Sequence, residues 1–171
     1  MRKVVILCFI LAGCGYTTRG FVYSGEKIYI SPIVNKVNIT GEDRAYSSYV
    51  SYPILLEKRL TNSLINKFNI DSSLKVSNSK KDSLLLECEI KNYIKDPLRY
   101  ADDDRITEQR LRLVVHFILR NKDGEVLRES DIVGETTYFL SGGFAKDEDS
   151  AQLDLINDTA RRIVETVVEK W

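Results

Sequence analysis

The residues whose types and spacing suit a defined chemistry lie near the start of the chain, at Leu11-Ala12-Gly13-Cys14. Arg2 and Lys3 make a positive leader, Val4 to Ile10 a short apolar run, and Ala12 and Gly13 a small-residue approach to the peptide bond before Cys14. This is the layout of an export signal. The run is far shorter than the roughly 20 apolar residues that a membrane-spanning helix needs. The Cys14 thiol can accept a diacylglycerol and its freed amine a further acyl chain. Two or more chains hold a protein stably on a bilayer, where one holds it only marginally. Gly15 lacks the acidic charge that favours retention at an inner membrane, so an outer membrane is the expected destination, with the domain facing the periplasm.

Further along, catalytic chemistry has little material. The only histidine, His116, stands in an alternating segment beside Arg112 and Val114 and is expected to be a partly exposed strand residue rather than a base. Cys88 alternates with leucines and reads as a small core residue. It is the one thiol left once Cys8 departs with the signal and Cys14 is acylated, so no internal disulfide is expected. Asp102-Asp103-Asp104 lacks the alternating oxygen ligands, turn glycine and distal glutamate of a calcium loop and reads as a solvated turn. No phosphate loop, nucleophile elbow or metal-spaced Cys/His set occurs. The expectation is a protein that is not an enzyme and carries no cofactor or metal. With 25 basic and 25 acidic residues there is no overall field for nucleic acid.

One set of charges stands out. Arg110, Arg112 and Arg120 share a strand face, with Glu87, Glu89 and Glu135 expected on neighbouring strands. They can be surface cross-strand pairs of small value, or a polar sheet face that meets a partner. The loop bases Arg99, Arg105 and Lys146 can bind phosphate, since charged forks and points match phosphate oxygens.

The elements that would position these residues follow from periodicity. Lys27 to Val34 alternates as a strand, with Ile28, Ile30 and Val34 on one face and Pro32 at an edge or end. Asn35 to Ser51 is a long polar connection with Tyr46 and Tyr49. Pro53 predicts a helix start capped by Ser51 or Tyr52, and Leu56, Leu60, Leu64 and Phe68 make its buried stripe. Leu74 and Val76 suggest a short strand. Ser83 to Tyr93 and Gln109 to Arg120 alternate as long strands, the second burying Leu111, Leu113, Val115, Phe117 and Leu119. Asn121-Lys122-Asp123-Gly124 is a hairpin turn. The strand from Glu125 to about Phe139 is expected to bend near Ser130 and Asp131. A last helix begins near Asp147, with Leu153, Ile156, Ala160, Ile163, Val164 and Val167 as its stripe and Asp147 to Asp149 suiting its positive end.

The sum is an α+β fold, a two-layer sandwich with two amphipathic helices on one face of a four- to five-stranded mixed sheet. Residues 1–13 form the signal peptide, 14–25 the lipidated N-terminus and tether, and 26–171 a single domain.

Several of these segments together resemble the lipopolysaccharide-assembly lipoprotein family LptE. They are Cys14-Gly15-Tyr16, Ile28-Tyr29-Ile30-Ser31-Pro32 with Asn35, Leu60-Thr61, and Ile90 to Pro97 with Tyr93. Glu108 to Leu113 with Arg110, Gly134-Glu135 with Tyr138, and Asp158, Ala160, Ile163 and Val164 complete the set. The resemblance implies two helices on one face of a four-stranded mixed sheet. It also implies an outer-membrane lipoprotein that plugs the LptD barrel and assists insertion of lipopolysaccharide into the outer leaflet, binding that lipid through basic loop residues. Lys146, in Ala145-Lys146-Asp147, looks like one such family position. A second falls near acidic Asp102 to Asp104, where Arg99 or Arg105 would have to stand in. The rival expectation is a periplasm-facing scaffold or ligand-binding lipoprotein with no barrel partner.

Overall fold

The computed structural model describes residues 25–37, 52–71 and 74–168. Cys14 with the signal, most of the tether, Tyr46, Tyr49, Ser51 and Trp171 lie outside the described residues.

The chain forms strands β1 (Lys27–Ile30) and β2 (Val34–Asn35), helix α1 (Leu56–Asp71), strand β3 (Lys75–Val76), the long strands β4 (Leu84–Tyr100), β5 (Ile106–Arg120) and β6 (Val126–Phe139), and helix α2 (Glu148–Val168). The strands make one six-stranded sheet in the order β3-β1-β4-β5-β6, with β2 pairing β4 further along. β1, β2 and β3 run parallel to their neighbours. The three long strands are an antiparallel meander. This is the mixed α+β sheet expected, with one strand more because the segment read as a single strand over Lys27 to Val34 divides into β1 and the two-residue β2.

Alternation decides which face is covered. Ile28, Ile30, Leu86, Cys88 and Ile90 point inward with Leu111, Leu113, Val115, Phe117 and Leu119, and all are buried. They meet Leu56, Leu60, Leu64 and Phe68 of α1 and Leu155, Ile156, Ala160, Ile163, Val164 and Val167 of α2 in one core. Burying a side chain of this size contributes about 1.5–3 kcal/mol. Both helices therefore lie on one face. Arg59 donates to Gln152 at 3.1 Å and Ser63 to Asn157 at 3.0 Å, which sets the two helices side by side and parallel.

Five local expectations change. The first strand breaks at Pro32, which lacks a donor, and the chain re-enters the sheet so that Ile33 is buried while Val34 is 48% exposed. The first helix starts at Leu56 rather than at Pro53, because Leu55 takes a left-handed φ of 58°. That conformation is costly for a branched side chain; the Leu55 carbonyl then accepts the first helical bond, from the Arg59 N–H at 3.0 Å. The strand expected to end at Tyr93 continues to Tyr100. A bulge between Ile90 and Asn92 shifts its phase, so that Tyr93 is buried in place of an even-numbered residue. β6 pairs with β5 in unbroken register through Ser130 and Asp131; its irregular apolar pattern reflects an edge strand with one exposed side. Leu153 of α2 is 50% exposed and Leu155 takes its place in the core, because the true stripe includes polar Gln152 and Thr159.

A candidate amphiphile-binding end and a charged outer face

The long strands have two ends. The end holding Tyr100, Ile106 and Phe139 is here called the tip, and the end holding Leu84, Arg120 and Val126 the base. At the tip the backbone is drawn together by short hydrogen bonds. The Ala101 N–H donates to the Arg105 carbonyl at 2.8 Å, Leu140 N–H to Thr107 at 2.9 Å, and Lys146 N–H to Phe139 at 2.9 Å. Asp104 takes a left-handed φ of 61° in the β4–β5 turn, a conformation that Asp tolerates. The Asp102–Asp104 turn is solvent-exposed, and among the described residues no group of His, Cys, Asp and Glu is arranged to hold a metal ion.

The same register brings Arg99, Arg105 and Lys146 to one end of the molecule. Arg99 pairs with Glu108 at 3.6 Å and Arg105 with Asp103 at 2.6 Å, while Lys146 pairs with Asp154 of α2. All three are exposed, and their acidic neighbours leave the cluster balanced rather than strongly positive. Sequence reasoning missed the apolar company they keep. Leu98, Tyr100, Phe139, Leu140 and Phe144 are exposed at this tip, Phe144 by 87%. Two of them precede the Ser141-Gly142-Gly143 break, which a search for apolar residues at a strand end would have flagged. Apolar side chains beside exposed cations are what an anionic amphiphile needs.

Asp147 closes the tip loop and caps α2. Its carboxylate accepts the Ser150 N–H at 2.8 Å and hydroxyl at 2.9 Å. Those bonds hold its carboxyl below the usual carboxylate range. Beneath the loop, Lys95 pairs with Glu148 at 2.6 Å, and the buried Tyr138 hydroxyl donates to Gln109 at 2.7 Å. Burial, helped by Glu148, pushes the Tyr138 phenol up to about 12. Burial also raises the Cys88 thiol to about 12, which suits a core residue and not a nucleophile.

The sheet face turned away from α1 and α2 is charged along its length. Arg120 pairs with Glu87 at 3.0 Å, as expected. Arg110 and Arg112 pair with neither Glu89 nor Glu135. Both turn to Asp96, at 3.6 and 2.6 Å, a residue in the extension of β4 beyond the strand that alternation predicts. Their Nε atoms are buried without a partner, so the two guanidiniums share one carboxylate. Glu89 instead holds Lys91 at 2.6 Å, and this pairing lowers its carboxyl. His116 places Nδ1 2.8 Å from Asp131 and Nε2 3.2 Å from Glu129.

A family model described as lipopolysaccharide-assembly, LptE, matches residues 27–171. The chain belongs to the LptE family. Two solved structures agree on the fold. It is similar to an uncharacterized lipoprotein B from Nitrosomonas europaea, at 17% identity and a TM-score of 0.51, over 89% of this chain and 92% of that one. A hypothetical protein from Chlamydia trachomatis matches at 10% identity and a TM-score of 0.51, over 83% of this chain and 95% of that one. The rare lipoprotein B from Shewanella oneidensis matches at 13% identity and a TM-score of 0.48, over 81% and 92%. No curated protein sequence matches the chain. LptE membership makes the chain one of a family of lipopolysaccharide-assembly lipoproteins. Among the described residues no helix is long and apolar enough to cross a membrane.

Proposed function

We propose that this LptE-family protein is an outer-membrane lipoprotein, anchored through Cys14, that fills the lumen of an LptD barrel and helps deliver lipopolysaccharide to the outer leaflet. The observation that carries the reading is the pairing of a charged sheet face, turned away from α1 and α2, with an end that combines exposed apolar and basic side chains. A polar face belongs in a water-lined barrel lumen, and Arg110, Arg112 and Arg120 are its candidate partner-facing residues. The tip residues Arg99, Arg105 and Lys146 are candidates for the lipid phosphates, with Phe144 and its neighbours beside them for acyl chains. Nothing in this role calls for a catalytic group; positioning suffices.

Dimensions support the reading. At about 3.3 Å per residue, the 17 residues of β4 extend for roughly 50 Å. A bilayer hydrocarbon core is about 30 Å thick. β1 enters the sheet at the base, so the segment leading from Cys14 joins the domain at that end. A domain held at its base on the periplasmic side thus has the length to bring its tip level with the opposite leaflet.

The test is capture of the full chain, carrying a C-terminal tag, from gently solubilised membranes. A large barrel protein is expected to co-elute in wild type and to be lost in Arg110→Glu/Arg112→Glu. Elution of the wild-type chain without a barrel overturns the plug and favours a scaffold without a barrel partner.

A further inference from the structure

The base carries a cluster of lysines that neither the core nor the outer-face ion pairs use. Lys27 and Lys75 are register partners on adjacent parallel strands. Their neighbours Ile28 and Val76 face the core side, so the two lysines stand together on the opposite face, both exposed. Like charges set directly opposite on neighbouring strands are destabilising. Two more, Lys80 and Lys81, are exposed in the connection from β3 to β4. That connection is pinned to the base: Ile28 is level with Val76 on one side and with Leu84 on the other, so the seven residues 77–83 leave and re-enter the sheet at the level of Ile28. Neither Lys80 nor Lys81 is more than four residues from a fixed strand, which limits each to about 14 Å from Val76 or Leu84. Among the described residues, no ion pair engages any of the four. Glu26 and Asp82, the nearest acids in sequence, form no ion pair with them.

Four exposed ammonium groups held in no ion pair at one end suit a diffuse anionic counterpart. Lysine is a flexible point charge rather than a fork, and it suits a fluid layer of phosphates better than a single shaped ligand. The chain itself says where such a layer would lie. It enters β1 at the base from the segment bearing Cys14, and the residues between Cys14 and Lys27 reach at most roughly 45 Å when extended.

We propose that Lys27, Lys75, Lys80 and Lys81 form a membrane-contact surface that rests on anionic lipid headgroups beside the anchor. The proposal deepens the reading above, since it takes Cys14 to hold the chain at a bilayer. The surface complements the acyl chains: lipid chains supply residence and the lysines fix which end of the domain faces the leaflet. A polybasic patch beside a lipid anchor adds electrostatic attraction to anionic lipids.

The test is partitioning of the full chain onto vesicles of phosphatidylcholine alone and onto vesicles that also contain phosphatidylglycerol, in low and high salt. Wild type is expected to prefer the anionic vesicles, with the preference falling as salt rises. Replacing all four lysines by glutamine is expected to reduce that preference at least about tenfold while leaving binding to neutral vesicles unchanged. Lys80→Gln/Lys81→Gln, which leaves the strands intact, is expected to lose several-fold on its own. A preference that survives the fourfold replacement overturns the surface. The anchor has a separate readout, incorporation of labelled palmitate at Cys14 in cells. Labelled Cys14 with lysine-independent partitioning overturns the surface alone; lysine-dependent partitioning with unlabelled Cys14 supports the surface and overturns the anchor.

Discussion

Gly134 of β6 lies against Thr159 of α2 so closely that a Cβ at Gly134 would stand 2.0 Å from the Thr159 Oγ1 and 2.9 Å from its Cα. The hydroxyl is not free to swing away, because it donates to the Leu155 carbonyl at 2.7 Å. The edge strand packs directly on the helix backbone here, and this is what Gly134 is for. Gly134→Ala is therefore expected to destabilise the fold by about 1–3 kcal/mol, the usual range for overpacking, seen as a lower denaturation midpoint with an unchanged m-value. Adding Thr159→Ala should restore only part of the loss, since the helix backbone at residue 159 still crowds the new methyl group. A Gly134→Ala protein as stable as wild type would mean that α2 is not seated where the structure places it.

One residue on, the same helix caps the strand edge. The Glu135 N–H donates to Asp158 at 3.0 Å, and Arg162 donates to the same carboxylate at 2.7 Å. Partial burial works against the charge on Asp158, but the Glu135 N–H, Arg162 and Arg161 outweigh it and hold the carboxyl below its ordinary value. A carboxyl depressed in the folded state stabilises the fold above its unfolded pKa, near 3.9, and that contribution is lost as pH falls through the folded value. Asp158→Asn is expected to lower stability at neutral pH by about 1–2 kcal/mol. The gap between variant and wild type should narrow below about pH 4. Denaturation midpoints measured at neutral and acidic pH check this; a gap that stays constant rules out the ionic form of the interaction.

These relationships show how much of the fold is legible from the sequence. Period-two alternation locates the long strands and their buried faces, because a slip of one residue would expose a whole apolar row. The four-residue repeat of Leu56, Leu60, Leu64 and Phe68 locates α1 for the corresponding reason on a helix. The misses have local causes. The bulge after Ile90 changes the phase of β4, and with the phase lost, Ile94, Asp96 and Leu98 do not read as strand. Asp96 is hidden for that reason, and alternation alone matches the arginines to the wrong acids. Gly134 and Asp158 stand out in the sequence only as points of family likeness, since neither has meaning until α2 is laid on β6. Lys146, Arg99 and Arg105 are legible as bases but not as neighbours; it takes strand register to put them at one tip.

Asp96 gives a prediction for the outer face. Arg110 and Arg112 are two apart on β5 and share this carboxylate, so its loss sets two cations side by side. Each of the three side chains is about a third exposed, and solvent screening keeps the cost small. Asp96→Asn is expected to destabilise by about 1 kcal/mol or less in low salt, with the difference shrinking as salt screens the arginines. Asp96→Asn/Arg110→Gln, with one cation gone, should recover most of the loss. An unchanged low-salt midpoint in Asp96→Asn would leave the shared carboxylate with no energetic role.

The tip prediction separates lipid binding from stability. Phe144 is 87% exposed and packs on nothing that holds the fold, so Phe144→Asp should change stability by no more than about 0.5 kcal/mol. If the tip takes acyl chains beside the cations, the same change should weaken retention on lipopolysaccharide micelles several-fold, because it removes apolar area worth about 25 cal/mol per Å² on burial and adds a charge that repels the phosphates. Lys146→Gln should weaken retention too, but in a salt-dependent way that Phe144→Ala does not share. Lys146 also pairs with Asp154, so Asp154→Asn serves as the control: it breaks the same ion pair while leaving the cation available, and retention should hold or rise. Loss of retention in Asp154→Asn equal to that in Lys146→Gln would show that the ion pair merely shapes the loop. Retention that ignores all four substitutions would remove the tip from the lipid's path.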